Sequence, residues 1–196
     1  MVWLVAGLGN PGDRYIGTRH NIGASVVDVL ASAEGERFRK ARFLPVETAE
    51  IRVGTQRVLL AKSLRYMNDS GPAFAGLAGK FDIAPANLIA VHDELDIPFG
   101  TLRVKQGGGN NGHNGLKSLQ SALRSPDFFR VRCGIGRPPG SQDPADFVLD
   151  RFTKREQEEV GLLVVDAADA ATSLVIEGLS KTQDRFNGTG PSVQDL

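Results

Sequence analysis

One cysteine among 196 residues rules out an intrachain disulfide framework and a cysteine-rich zinc site. Excess charge is missing too. Lys+Arg number 23 and Asp+Glu 23, for a formal net charge of +0, so a nucleic-acid partner would have to be held by a local patch. No apolar run approaches the ~20 residues of a membrane span, and Met1-Val2-Trp3 opens a strand-like run rather than a signal peptide. A cytoplasmic protein with no membrane contact is expected. The nucleophile elbow G-x-S-x-G is absent, and no serine or threonine stands out as a triad partner. Repeats and linkers are lacking as well. The chain therefore reads as one domain over 1–186, followed by a flexible tail over 187–196.

What is present is organised around Gly7–Gly23, reading GLGNPGDRYIGTRHNIG. An apolar run, Val2–Ala6, leads in and a helix-period run, Ile22–Leu30, leads out. A stretch so rich in glycine and polar residues, straight after a buried strand, reads as backbone laid against a ligand at a strand's carboxyl end. Gly7, Gly9 and Gly12 also spell G-x-G-x-x-G, the dinucleotide fingerprint, which needs a helix starting among the glycines. Pro11 could open one. However, Gly17 and the polar Asp13–His20 run place the helix start near Asn21, with Asn21 or Thr18 as its cap.

Further along, residues 34–47 are charged and loop-like. Thr48–Val53 and Arg57–Lys62 flank Gly54-Thr55-Gln56 as a hairpin. Ser70 could cap a helix near Pro72–Phe81, and Asn87–Asp93 is a second buried strand. Thr101–Lys105 and Phe128–Ile135 are strand-like, with a helix through Leu116, Leu119 and Leu123 between them. Thr153 and Glu156 form a capping box for a long helix reaching about Glu177. This alternation predicts an α/β fold: a single three-layer domain, a twisted mixed β-sheet flanked by helices.

All three histidines, His20, His92 and His113, fall in or beside the polar loops. A His–Asp pair is the minimal apparatus for general-base chemistry, and His20 and Asp93 are expected to end the two best buried strands. A metal set of His20, His113 and Asp93 is imaginable but lacks ligand spacing, so a base acting on water without a metal is the economical reading. Cys133 alternates within a strand and reads as core. Asn10, Asn68 and Asn114 could donate to a carbonyl or oxyanion; read singly, each is a turn residue. Seven cations from Arg103 to Arg137 face one acid, Asp127, and could be either a phosphate-binding patch or a solvated sheet edge. A nucleotide-binding oxidoreductase and an inert RNA-binding protein stay open on the residues alone.

Five segments, GLGNPGDRYIGTRHNIG, KSLRYMNDSG, HDELDIPFGTLRVKQGGG, GHNGLKSL and FRVRCGIGRP, together closely resemble bacterial-type peptidyl-tRNA hydrolase. The resemblance covers nearly the whole chain. It implies hydrolysis of the ester between a peptide and the 3′ ribose of tRNA, which recycles tRNA from aborted translation. It also implies a monomer with no cofactor and no metal. By position it makes His20 the base, Asp93 its partner and Asn10 a neighbour that holds substrate. Asn68 and Asn114 would position the 3′ CCA end, while Tyr15, Asn21, Met67, Gly112 and His113 would line the cleft. Lys105 and Arg132 would grip the tRNA 5′ phosphate. Ser63 and Arg65 depart from the family's usual Pro and Thr, which bears on loop rigidity and local charge.

Overall fold

The computed structural model describes residues 1–188. Its strands are β1 (Val2–Gly7), β2 (Arg39–Lys40), β3 (Val46–Val53), β4 (Gln56–Ser63), β5 (Leu88–Glu94), β6 (Leu102–Gln106) and β7 (Phe129–Gly134). The helices are α1 (Ile22–Ala33), α2 (Gly71–Lys80), α3 (Asn114–Leu123), α4 (Pro144–Phe147), α5 (Gln157–Glu177) and α6 (Leu179–Phe186). The strands form one mixed sheet in the order β2-β3-β4-β1-β5-β7-β6. Strands β4, β1, β5 and β7 run parallel, so their carboxyl ends lie along one rim, the usual place for a site in such sheets. The β3–β4 hairpin and β6 supply the antiparallel edges.

The continuous apolar run at the start has a simple cause, since β1 is buried on both faces. Val5 packs with Val26 and Val27 of α1 and Leu163 and Ala167 of α5. Leu4 and Ala6 pack on the other face with Phe74 of α2 and Leu116 and Leu119 of α3. The three layers are those expected from sequence. Gly23 sets how closely α1 approaches the rim: a Cβ there would collide with the Val91 carbonyl. That contact seats the turn before α1 directly against the end of β5.

Several local expectations are corrected, mostly because tertiary partners replaced local caps. The helix start read near Asn21 does hold: α1 begins at Ile22, past all three fingerprint glycines, so they frame no helix N-terminus for a pyrophosphate. Neither Asn21 nor Thr18 caps it by side chain: Asn21 bonds Asn10, and the Thr18 hydroxyl donates to the Tyr15 carbonyl. Ser70 likewise turns back to donate to the Met67 carbonyl, and the Gly71 N–H is met by Ser118 Oγ of α3. The Thr153–Glu156 box does form, but as a turn ahead of α5, which begins at Gln157. Residues 34–47 are not all loop, because β2 and the start of β3 fall there. Asn187, placed in the expected tail, is bonded to the Val104 backbone at 2.6 and 3.0 Å; the rest of that tail from 189 on lies outside the described residues. Ser63 offsets its departure from proline by closing a turn, its Oγ accepting from the Arg65 N–H at 2.9 Å.

Candidate active site

The site is built on the carboxyl end of β5. His20 does not end a strand, contrary to the sequence reading. It sits in a short 3-10 turn, Arg19–Asn21, well after β1 closes. Arg19 fixes that turn. Its guanidinium donates to the Arg151 carbonyl at 2.8 Å and to both Glu156 oxygens at 3.0 and 2.9 Å, and it lies over the Phe147 ring. The His20 N–H meanwhile donates to the Val148 carbonyl. The segment 148–156 is thereby pinned to the turn that carries His20. The chemistry of the loop did not single out Arg19; its only sequence signal was adjacency to His20.

His20 Nδ1 lies 3.0 Å from both Asp93 oxygens, and His113 Nε2 lies 2.9 Å from Asp93 Oδ1. Asp93 is buried, so its carboxylate must be satisfied internally, and two imidazole N–H groups do this. The hydrogen bonds also settle the tautomers. His113 Nδ1 accepts from the Gly115 and Leu116 N–H groups as the side-chain cap of α3, so its proton is on Nε2 and goes to Asp93. His20 donates from Nδ1, which leaves Nε2 with its lone pair and no partner among the described residues. Of the two rings, only His20 is free to take a proton.

The electrostatics agree with that division. Burial alone would hold Asp93 protonated, but the charges and hydrogen bonds of His20 and His113 outweigh it and keep the carboxyl ionised far below the usual carboxylate range. Burial likewise pulls the His20 pKa down, while the Asp93 charge and hydrogen bond push harder the other way, leaving it raised above 6.5. His92 lies within β5 rather than in a loop. It is fully buried, its Nδ1–H donates to the Asp93 carbonyl at 2.7 Å, and burial first and His113 second hold it neutral. The Cys133 thiol is held protonated by burial and by Asp93, so it is core and no nucleophile.

A hollow of about 180 Å³ opens over this group, lined by His20, Asp93, Glu94, Gly112, His113 and Asn114, with Pro144 and Val148 on its far wall. Asn114 is exposed at the first position of α3. Asn68 is exposed in a short turn beside buried Met67. Tyr15 meets Tyr66 edge-on at 6.3 Å. Asn10 lies one step away, in the wall of a neighbouring groove. Its Oδ1 accepts from the Met67 N–H at 2.8 Å, and its backbone is clasped by the Asn21 amide. The Asn10 Nδ2 keeps its donors free among the described residues.

The His20, Asp93 and His113 ligand atoms lie within 4.8 Å of one another, so the fold brings together a set whose sequence spacing had argued against a metal. Their separations are nevertheless those of N–H donors on a carboxylate.

The basic segment is not a uniform patch. Arg130 is fully buried and donates to the Gly108 and Gly109 carbonyls at 2.6 and 2.5 Å, holding the loop that carries His113. Arg132 is paired with Glu94 at 3.2 Å. Lys105 makes no salt bridge among the described residues; burial, then Arg132 and Arg130, lower its pKa against the opposing charge of Glu94. Lys105, Arg130 and Arg132 thus crowd around a single acid, Glu94, which also lines the hollow over Asp93. Glu94 was not singled out from sequence.

The model of the peptidyl-tRNA hydrolase family matches residues 4–194. The peptidyl-tRNA hydrolase of Kineococcus radiotolerans is 51% identical over 192 residues, covering 94% of this chain and 96% of its own. That of Cutibacterium acnes is 51% identical over 195 residues, covering 94% and 98%. The crystal structure of peptidyl-tRNA hydrolase from Acinetobacter baumannii superposes with a TM-score of 0.90 at 31% identity, covering 97% of each chain.

Proposed function

This chain belongs to the peptidyl-tRNA hydrolase family, and we propose that it cleaves the peptide–tRNA ester with a water molecule that His20 deprotonates. The observation that carries the mechanism is the free Nε2 of a His20 ring whose Nδ1–H is bound to buried, ionised Asp93. In this reading water sits on Nε2 and attacks the ester carbonyl. The proton moves to His20, and the Asp93 carboxylate stabilises the imidazolium. The tetrahedral intermediate then expels the ribose 3′ oxygen, which takes the proton back from the His20 imidazolium, so that free peptide and tRNA leave and neutral His20 is restored. Asn10 Nδ2 is a suitable donor to the acyl oxygen, while Asn68 and Asn114, exposed on either side, position the CCA end. Tyr15, Asn21, Met67, Gly112 and His113 complete the cleft, and the described fold acts as one monomeric domain. No helix among the described residues is long and apolar enough to cross a membrane.

The test is deacylation of N-acetyl-aminoacyl-tRNA. We expect turnover unaffected by a chelator as long as the tRNA stays folded. A rate lost to EDTA and restored by a divalent ion would instead make His20, Asp93 and His113 metal ligands.

Lys105 and Arg132 are proposed to hold the tRNA 5′ phosphate. Such contacts exist in ground and transition states alike, so Lys105→Ala should raise KM more than it lowers kcat. It should also flatten the log–log salt dependence of KM by up to about one unit. Arg132→Ala carries a second effect, because it leaves Glu94 unpaired beside the catalytic hollow. Lys105→Ala is therefore the cleaner variant. A blocked aminoacyl ester of the CCA trinucleotide, too short to reach Lys105, should be cleaved by Lys105→Ala as by the wild type. Equal losses on long and short substrates would remove the phosphate assignment.

A further inference from the structure

Residues 37–45, reading RFRKARFLP, hold four cations and no acid in a chain whose formal net charge is +0. They form β2 and the turn into β3, at the edge of the sheet farthest from Lys105. Arg37, Arg39, Lys40 and Arg42 are all exposed, and none forms an ion pair or a side-chain hydrogen bond among the described residues. By contrast Arg57 pairs with Glu50, Lys62 with Asp28 and Arg137 with Asp96.

Neighbouring acids do not cancel this charge. The β2–β3–β4 register sets Lys40 opposite Glu47 and Glu47 opposite Lys62, which is bound to Asp28 at 2.6 Å. That face is balanced. Alternation sends Arg39 to the other face, opposite Thr48 and then Ala61, where the register brings no acid. Glu34 and Glu36 line a separate hollow with Glu50 and Arg52. The excess therefore belongs to Arg37, Arg39 and Arg42.

An aromatic ring stands among these cations. Phe43 is 88% exposed, more than any other large hydrophobic side chain among the described residues. Its φ of 67° lies in the left-handed region, which bulky residues rarely adopt. The turn imposes this pose. Ala41 N–H donates to the Val46 carbonyl at 2.8 Å, and Leu44 packs against α2 beside Gly76. Leu44 goes in and Phe43 goes out. The Arg42 guanidinium lies over the Phe43 ring, 4.7 Å from its centroid.

Unpaired guanidinium groups suit phosphates, and an open ring beside them suits the flat face of an unstacked base. An acidic peptide would use the cations and leave the ring idle. We propose that Arg37, Arg39, Arg42 and Phe43 form a contact for single-stranded nucleic acid, with Phe43 as the stacking platform. It is separate from the ester site. β2 lies four strands from β5, roughly 19 Å at ~4.8 Å per strand, and Lys105 and Arg132 lie beyond β5 on the other side. A tRNA held at His20 and Lys105 thus brings neither its CCA end nor its 5′ phosphate to Phe43.

Fluorescence anisotropy with end-labelled 12-mers of oligouridylate and oligothymidylate tests the contact, and the tighter of the two identifies RNA or DNA as its source. Phe43→Asn keeps a residue type that tolerates the left-handed backbone, and should weaken binding by roughly fivefold or more, the share of one stacked base. Phe43→Trp should retain it. The Phe43→Asn loss should be the same when Lys105→Ala is added. Phe43→Asn should also cleave the blocked aminoacyl-CCA ester within about twofold of the wild type. Equal binding by Phe43→Asn and wild type overturns the proposal, as does an equal loss in Phe43→Trp. Polyglutamate displacing the label as well as unlabelled 12-mer would make the occupant an acidic peptide and overturn it too. If Phe43→Asn folds poorly, Arg42→Ala decides: it should flatten the log–log salt dependence by about 0.7, and an unchanged slope rejects the patch. Binding needs no turnover, so this test stands apart from the ester-hydrolysis reading.

Discussion

Replacing His20 with alanine should lower kcat by roughly 10²–10⁴-fold, the usual share of general-base catalysis, with KM little changed. The expectation follows from the tautomer assignment. His113 is the other imidazole on Asp93, and it cannot substitute because two backbone N–H groups occupy its Nδ1. His92 cannot substitute either, being buried in β5 and held neutral. The fold should survive the change. His20 sits in a turn held by Arg19 through Arg151 and Glu156 and by its own backbone bond to Val148, none of which uses the imidazole. Steady-state deacylation together with a thermal melt checks both halves. A variant with wild-type stability and near-wild-type kcat would end the assignment.

Asp93→Asn should be as damaging, on the order of 10²–10⁴-fold in kcat, despite its near-identical shape. The hydrogen-bond inventory explains why. An asparagine offers one acceptor and one donor where the carboxylate offered only acceptors. His113 must keep its proton on Nε2, because Nδ1 already accepts from Gly115 and Leu116, and so it claims the amide oxygen. The amide NH₂ then faces His20 Nδ1 and can bond only if that nitrogen is an acceptor. This moves the His20 proton to Nε2, where the lone pair for water is needed. Asp93 is buried, so bulk solvent does not relieve the conflict. The variant should also lose the pH-dependent stability of a depressed carboxyl. In the wild type that contribution is present above the unfolded pKa near 3.9 and is lost only in strong acid, as pH falls through the folded value. Kinetics and acid unfolding of both proteins test the pair of effects. A mild loss of kcat in Asp93→Asn would mean that His113, not His20, yields its bond.

The sequence made some of this architecture legible and hid the rest for physical reasons. The strands around Val2–Ala6 and Asn87–Asp93 could be read because burial on both faces leaves a continuous apolar run, and the β3–β4 hairpin because its turn residues sit between alternating strands. The caps of α1 and α2 could not, since the side chains suited to capping were taken by Asn10, Tyr15 and Met67. Arg130 and Arg132 share a face, as period-two alternation requires. Yet alternation could not say that one would be buried on glycine carbonyls and the other paired with Glu94. At the site, His20 and Asp93 stood out by residue type, although His20 was expected at a strand end. His113 was grouped with His20 and Asp93 only as an imaginable metal set; its hydrogen bond to Asp93 could not be read, because His113 reaches it only after β6 and the glycine loop have turned the chain back. Most of the residues proposed to face substrate came from motif resemblance rather than from pattern.

The central claim is that a neutral His20, poised by Asp93, takes the proton from water. The pH profile of kcat/KM for N-acetyl-aminoacyl-tRNA, measured in wild type and His20→Ala side by side, tests it most directly. The wild type should rise with pH and level off through one ionisation above 6.5, because burial lowers the His20 pKa less than the Asp93 charge and hydrogen bond raise it. His20→Ala should show no such plateau, its residual rate climbing with hydroxide alone. If the same ionisation and plateau persist without His20, the base is another group and the account is wrong.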